Sequence, residues 1–216
     1  MAVVPLSDAS RPLARFPLVT VLILAANGIS FALELAGGEA YVTDWSVVPA
    51  QIMSDHHWIT LITAMYLHGS WLHIIGNMLF LWAFGPAVED AMSRMAYFLF
   101  YTVGGLVGML SQILVSPEST VPCLGASGAI AAVMGAFLVT YPRDRIKCLL
   151  IIGWFVRTTL IPAAVLIGVW FLIQLVNAGE VISNQEGGVA YAAHVGGVIF
   201  GAAFGRLFER PRQLFA

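Results

Sequence analysis

Six apolar stretches, each near the roughly 20 residues that a helix needs to cross a bilayer, take up almost the whole chain. They fall at about 16–37, 70–91, 95–115, 125–141, 158–177 and 189–208. The pattern predicts an all-α, polytopic membrane protein in which six transmembrane helices form one bundle over residues 1–216. No low-complexity linker or internal repeat divides it.

The polar positions between these stretches carry a second pattern. Arg11 and Arg15 precede the first stretch, and Arg94 lies between the second and third. Arg143, Arg145, Lys147 and Arg157 lie between the fourth and fifth, and Arg206, Arg210 and Arg212 close the chain. The alternate connections hold Glu39, Asp44, Asp55, Glu118, Glu180 and Glu186 with no Lys or Arg. Basic flanks stay on the cytoplasmic side, so both termini are expected there. Composition agrees: 59% of the 216 residues are hydrophobic, 10% are charged and the mean hydropathy is +0.87. The net charge of −2 gives no hint of a nucleic-acid partner. The first stretch reads as a retained helix, because removing it as a signal peptide would break the charge alternation.

Two connections are themselves apolar. Residues 38–68 include Trp45, Ile52, Trp58, Ile59 and Met65, a composition suited to the headgroup layer of the outer leaflet. The nine residues 148–156 are too few to cross and are expected to lie at the cytoplasmic interface. Cys123 and Cys148 fall on opposite faces in this topology, too far apart for a disulfide.

Candidate chemistry gathers toward the outer face. Ser127 lies in the first turn of the fourth stretch, and His194 about five residues into the sixth, which enters from the same side. An alcohol and an imidazole in hydrocarbon are costly unless they satisfy each other or react, and one can be a nucleophile with the other as its base. Burial favours the neutral imidazole, the form able to take the serine proton. Gly128, Ala131, Gly197 and Gly201 belong to small-residue seams that let the two helices approach closely. His73 and Asn77, at i and i+4 in the second stretch, face the same way and can donate to a developing oxyanion, as can the free amides at the start of the serine helix. His68 is expected to brace the outer loop, and His56 and His57 to lie at the interface.

What is missing also discriminates. No HExxH is present, so no metal site is expected, and Asp90, at an inner helix end, is the only aspartate within a stretch. Glu34 lies at the outer margin of its helix and Glu89 at the inner end of its own, so no acid stands level with Ser127 to orient His194. The expected mechanism is a dyad.

In this order, HGSWLHIIGNMLFLWAFGPAVED, GASGAIAAVMGAF and AHVGGVIFG resemble the rhomboid family of intramembrane serine proteases. The resemblance implies Ser127 as nucleophile, His194 as general base and acid, and an oxyanion site from Asn77, His73 and the Ser127 amide, with Gly125 beside it. It implies a structural role for Glu89, no cofactor, and substrates with a membrane span, cut near the outer face. The length fits the six-helix form of the bacterial inner membrane. The fifth helix, with Phe171 and Gln174, and the loop 178–190 are candidates for a gate. Two departures stand out: Ala131 replaces the aromatic residue that some relatives place beneath the histidine, and the Trp-Arg pair of some first outer loops is absent. The alternatives are an inactive rhomboid-like binding factor, against which the intact Ser127 and His194 argue, and a small transporter, against which the closed inner half argues.

Overall fold

The computed structural model describes residues 2–54, 57–184 and 190–211, with the backbone alone over 179–184. Strand β1 (Ala2–Asp8) precedes helix α1 (Leu18–Trp45). At Gly38 a φ of +66° breaks α1, one residue past the expected end of the first span. Short helices α2 (Pro49–Ser54) and α3 (Thr60–Thr63) and a 3-10 turn at Ala64–Tyr66 follow. Next come α4 (Trp71–Ala91) and α5 (Arg94–Val115), capped by the Ser70 and Ser93 side chains, and then α6 (Ser127–Thr140). Strands β2 (Arg145–Ile152) and β3 (Phe155–Pro162) lead into α7 (Ala163–Asn184), and α8 (Tyr191–Phe204) ends in a 3-10 turn at Gly205–Phe208.

The chain is a mostly helical, multi-pass membrane protein. Helices α1, α4, α5 and α8 with its 3-10 extension are long and apolar enough to cross a bilayer, while α6 and Ala163–Ala178 of α7 are shorter apolar helices. In lipid each such segment has to satisfy its own backbone groups, which is why these runs coil. The 14 residues of α6 span only about 21 Å, well short of a hydrocarbon core of about 30 Å. Its first residue is Ser127, and at its other end Arg206 donates to the Val139 carbonyl.

The all-α expectation needs correcting. β1, β2 and β3 form an antiparallel sheet in that order, with Val4 opposite Leu149 and Cys148 opposite Thr159. The apolar residues 148–156, too few to cross, are part of a hairpin that turns at Gly153 with φ +57° and carries a nearly fully exposed Trp154. β3 also delays the fifth helix to Ala163, five residues beyond the expected 158. Nothing local announces β1: Pro5 interrupts it and the register shifts between Pro5 and Ser7, both tolerable in an edge strand.

Charges tie one end of the bundle together. Arg11 pairs with Asp144 and stacks over the Tyr141 ring, and Arg15 binds Asp90 at 3.5 Å and the Met92 carbonyl at 2.9 Å. Arg210 donates to the Asp90 carbonyl at 2.8 Å. Glu89, buried in α4, accepts from the Val19 and Thr20 amides at 2.9 and 2.8 Å and so caps α1, whose N-terminal flank, Pro17, offers no side-chain cap.

The core centres on α6, in which every residue from Gly128 to Phe137 is buried. Its tightest partner is α8. A Cβ at Gly197 would collide with the Gly128 carbonyl and lie 3.0 Å from the Ala131 Cβ, and one at Gly201 would collide with the Ala132 carbonyl. The four seam positions expected from sequence therefore meet one another, or the residue beside them. Gly197→Val should force the helices apart and destabilise the fold by about 1–3 kcal/mol or more, measurable by unfolding in mixed micelles. Wild-type stability in that variant would contradict the seam.

Candidate active site

The close approach of α6 and α8 sets Ser127 against His194. Ser127 Oγ lies 2.8 Å from His194 Nε2, and the other ring nitrogen, Nδ1, lies 2.7 Å from Gln174 Oε1 of α7. With Nδ1–H donating to that carbonyl oxygen, Nε2 presents its lone pair to the serine hydroxyl, which is the arrangement a general base requires. His194 and Gln174 are both 7% exposed, so the bond between them is shielded from bulk water. The Trp170 ring, one turn from Gln174 on α7, tilts against the imidazole at 5.5 Å between centroids, and Tyr191 meets it edge-on at 6.3 Å. The histidine is thus supported from α7 instead of from position 131, where Ala131 is fully buried in the seam.

Both residues open into a cavity of about 590 Å³ that His73 and Asn77 also line. The first helical bond of α6 runs from the Ile130 amide to the Ala126 carbonyl, leaving the Ser127, Gly128 and Ala129 amides without partners inside the helix. Gly125 makes the turn into this helix at φ +125°, a conformation L side chains rarely adopt, and its amide donates to the Ala64 carbonyl at 2.8 Å. A Cβ there would lie 2.8 Å from His73 Nε2 and 3.6 Å from Ser127 Oγ, so the glycine also admits the two side chains to one place.

Asn77 is held by a residue that sequence reasoning gave another task. His68 Nδ1 faces the Tyr66 carbonyl at 3.3 Å, and its Nε2 accepts from Asn77 Nδ2 at 3.0 Å. One hydrogen of the amide is fixed and the other is left for the cavity. His68 does brace the loop as well: its own amide donates to both Glu34 oxygens, at 3.0 and 2.9 Å. The outer connection is sewn down further by Val47 and Cys123, which exchange backbone bonds of 3.0 and 2.6 Å. The packing of 38–68 is accordingly tight despite the missing Trp-Arg pair, with Val47, Ile52, Ala64 and Met65 buried and Trp45, Met53 and Ile59 outward.

The profile of the Rhomboid domain family matches residues 55–211, most of the chain. The chain belongs to the rhomboid family. Among its relatives are the rhomboid protease GluP of Bacillus subtilis, 30% identical over 189 residues (86% of this chain, 34% of GluP), and the mitochondrial rhomboid protein 1 of Saccharomyces cerevisiae, 28% identical over 165 (72% and 44%). Rhomboid-like protein 11 of Arabidopsis thaliana, chloroplastic, is 34% identical over 110 residues (50% and 39%). The chain spans between about a third and less than half of the length of these relatives.

Within this rhomboid, the structure brings together all the side chains that the sequence singled out for chemistry, and adds Gln174, Trp170 and His68 around them. The sequence had placed Gln174 only as a gate candidate; no motif announces a contact made across 20 residues. Between α4 and α7 the cavity is flanked by Phe80 and Trp170, whose rings are 6.3 Å apart. His57 is exposed, whereas His56 and residues 185–189 of the expected gate loop lie outside the described residues. Among the described residues no three His, Cys, Asp or Glu side chains gather in a way that could hold a metal ion.

Burial, with the His73 ring beside it, pushes the His68 imidazole from 6.5 down to about 4. The unfolded chain therefore binds more protons between these values, and stability present above pH 6.5 is lost as the pH falls toward 4, by on the order of 3 kcal/mol in all. Protonation at Nε2 would also set a donor against Asn77 Nδ2. Unfolding at pH 7, 5.5 and 4.5 should show this slope in the wild type and a flatter one in His68→Gln; identical slopes would refute it.

Proposed function

We propose that this rhomboid is an intramembrane serine endopeptidase that cuts the transmembrane segments of other membrane proteins near the outer face. The observation that carries this is the 2.8 Å bond between Ser127 Oγ and His194 Nε2, inside a cavity lined by further hydrogen-bond donors. Ser127 Oγ attacks the scissile carbonyl while Nε2 takes its proton. The oxyanion is met by Asn77, His73 and the Ser127 amide at the α6 N-terminus. The C–N bond then breaks as Nε2 returns the proton to the leaving amine, and water, activated by the same nitrogen, hydrolyses the acyl-enzyme.

A peptide bond within an intact helix is already hydrogen-bonded and shielded, so the substrate has to unwind before attack. Segments with small residues and weak helices suit this best, and the contact between Phe80 of α4 and Trp170 of α7, which would have to part, is where we place their route. The six apolar helices form one membrane domain with both termini in the cytoplasm. Support for that topology comes from Arg11, Arg15, Arg206 and Arg210, which all make their bonds at the helix ends opposite Ser127. The setting that best fits this form is the bacterial inner membrane, although relatives include a mitochondrial and a chloroplastic protein.

Purified protein with a labelled single-span substrate should cleave it, and Ser127→Ala or His194→Ala should lower the rate by about a thousandfold or more. A fluorophosphonate should label Ser127 and nothing else. Cleavage that survives Ser127→Ala would reject these roles; binding of substrate without cleavage by the wild type would favour an escort.

A further inference from the structure

The dyad has a neighbour that the sequence offered only as a gate candidate and that the proposed mechanism does not use. Gln174 sits on α7, not on either helix of the pair, and its side chain is buried. Its Oε1 is 2.7 Å from His194 Nδ1, while the opposite ring nitrogen is 2.8 Å from Ser127 Oγ. A neutral imidazole carries one proton, and only the tautomer with that proton on Nδ1 leaves Nε2 free to accept from the serine. In the other tautomer Nε2 would donate to Oγ and could not act as base. In apolar surroundings the choice falls to whatever faces Nδ1, and here that is an amide oxygen.

We infer that Gln174 is a positioning residue that fixes His194 in its Nδ1–H tautomer and holds the ring in line with Ser127, so that α7 supplies the third member of a Ser-His-Gln array. This rests on the protease reading and deepens it. Trp170 reinforces the same function by packing against the ring one helical turn away, at 5.5 Å between centroids. The two side chains together define ring rotation and proton position, the two properties that burial alone leaves open.

Three full-length proteins in nanodiscs test this: the wild type, Gln174→Met, which keeps bulk without an amide oxygen, and Gln174→Glu, which keeps an oxygen at the same reach. With a soluble peptide substrate, Gln174→Met should lower kcat by about 10- to 100-fold with KM changed by less than about twofold. Gln174→Glu should recover kcat to within about tenfold of the wild type. Nitrogen NMR of 15N-histidine protein, with the His194 signals assigned by their loss in His194→Ala, should show protonated Nδ1 in the wild type and a mixture of tautomers in Gln174→Met. An unchanged tautomer or an unchanged kcat in Gln174→Met would overturn the inference, as would an effect confined to KM, which a gate alone would produce. The tautomer readout needs no activity, so its failure is separable from that of the protease reading. Were the wild type inert toward every substrate and fluorophosphonate while the tautomer shifted as expected, the contact would stand and the catalytic role would fall.

Discussion

The structure depends on how closely two helix backbones can approach. His194 reaches Ser127 because Gly197 and Gly201 of α8 lie directly on the carbonyls of Gly128 and Ala132, with no side chain between them. In hydrocarbon there is little hydrophobic drive for helices to associate, so close packing along a small-residue seam has to supply the cohesion. The same seam sets the geometry of the polar pair at its outer end. Ala131 belongs to it, at 3.0 Å from where a Gly197 Cβ would stand, so an aromatic ring there would hold the helices apart. Loss of the ring under the histidine and tightness of the seam are thus two sides of one choice, and Trp170 on a third helix takes over the support.

The polar groups sort by depth. Ser127, His73, Asn77, His68 and His194 lie toward one end, and the ion pairs of Arg11 and Arg15 with Asp144 and Asp90 lie at the other. Between them α6 is buried in apolar packing, with its Phe137 meeting Phe84 of α4 edge-on at 5.2 Å. A helix of about 21 Å makes this economical: with its Val139 carbonyl held by Arg206 at the far end, its free amides and the serine stop short of a full span, beside the cavity. The sheet joins the N-terminal strand to the hairpin before α7.

Much of this was legible in the chain itself, for identifiable reasons. Spans were readable because a membrane enforces long apolar runs, and Ser127 and His194 stood out because polar groups in such runs are costly. The seam was readable because glycine spacing follows the helical turn. The sheet was not, since β1 pairs with residues some 140 positions away and its sequence, AVVPLSD, carries no signal of its own. β2 does alternate, with Arg145 and Lys147 out and Ile146 and Cys148 in, but the apolar run after it obscures that period. His68 and Gln174 were seen, yet their partners depend on which side chains the tertiary fold brings within 3 Å.

An amide in the place that serine hydrolases in water give to a carboxylate has a physical rationale. A carboxylate buried beside His194 would need partners for its remaining lone pairs and would lose several kcal/mol of hydration. Gln174 offers an acceptor without a net charge, so the histidine is oriented at the cost of burying a neutral dipole only. The acceptor also rides on the helix whose Trp170 packs against Phe80 of α4. A movement of α7 wide enough to admit an unwound segment would draw Oε1 and the Trp170 ring away from the imidazole together. On the proposed protease reading, orientation of His194 as base would then be complete only when α7 is seated again, which would tie the chemistry to closure over the bound segment.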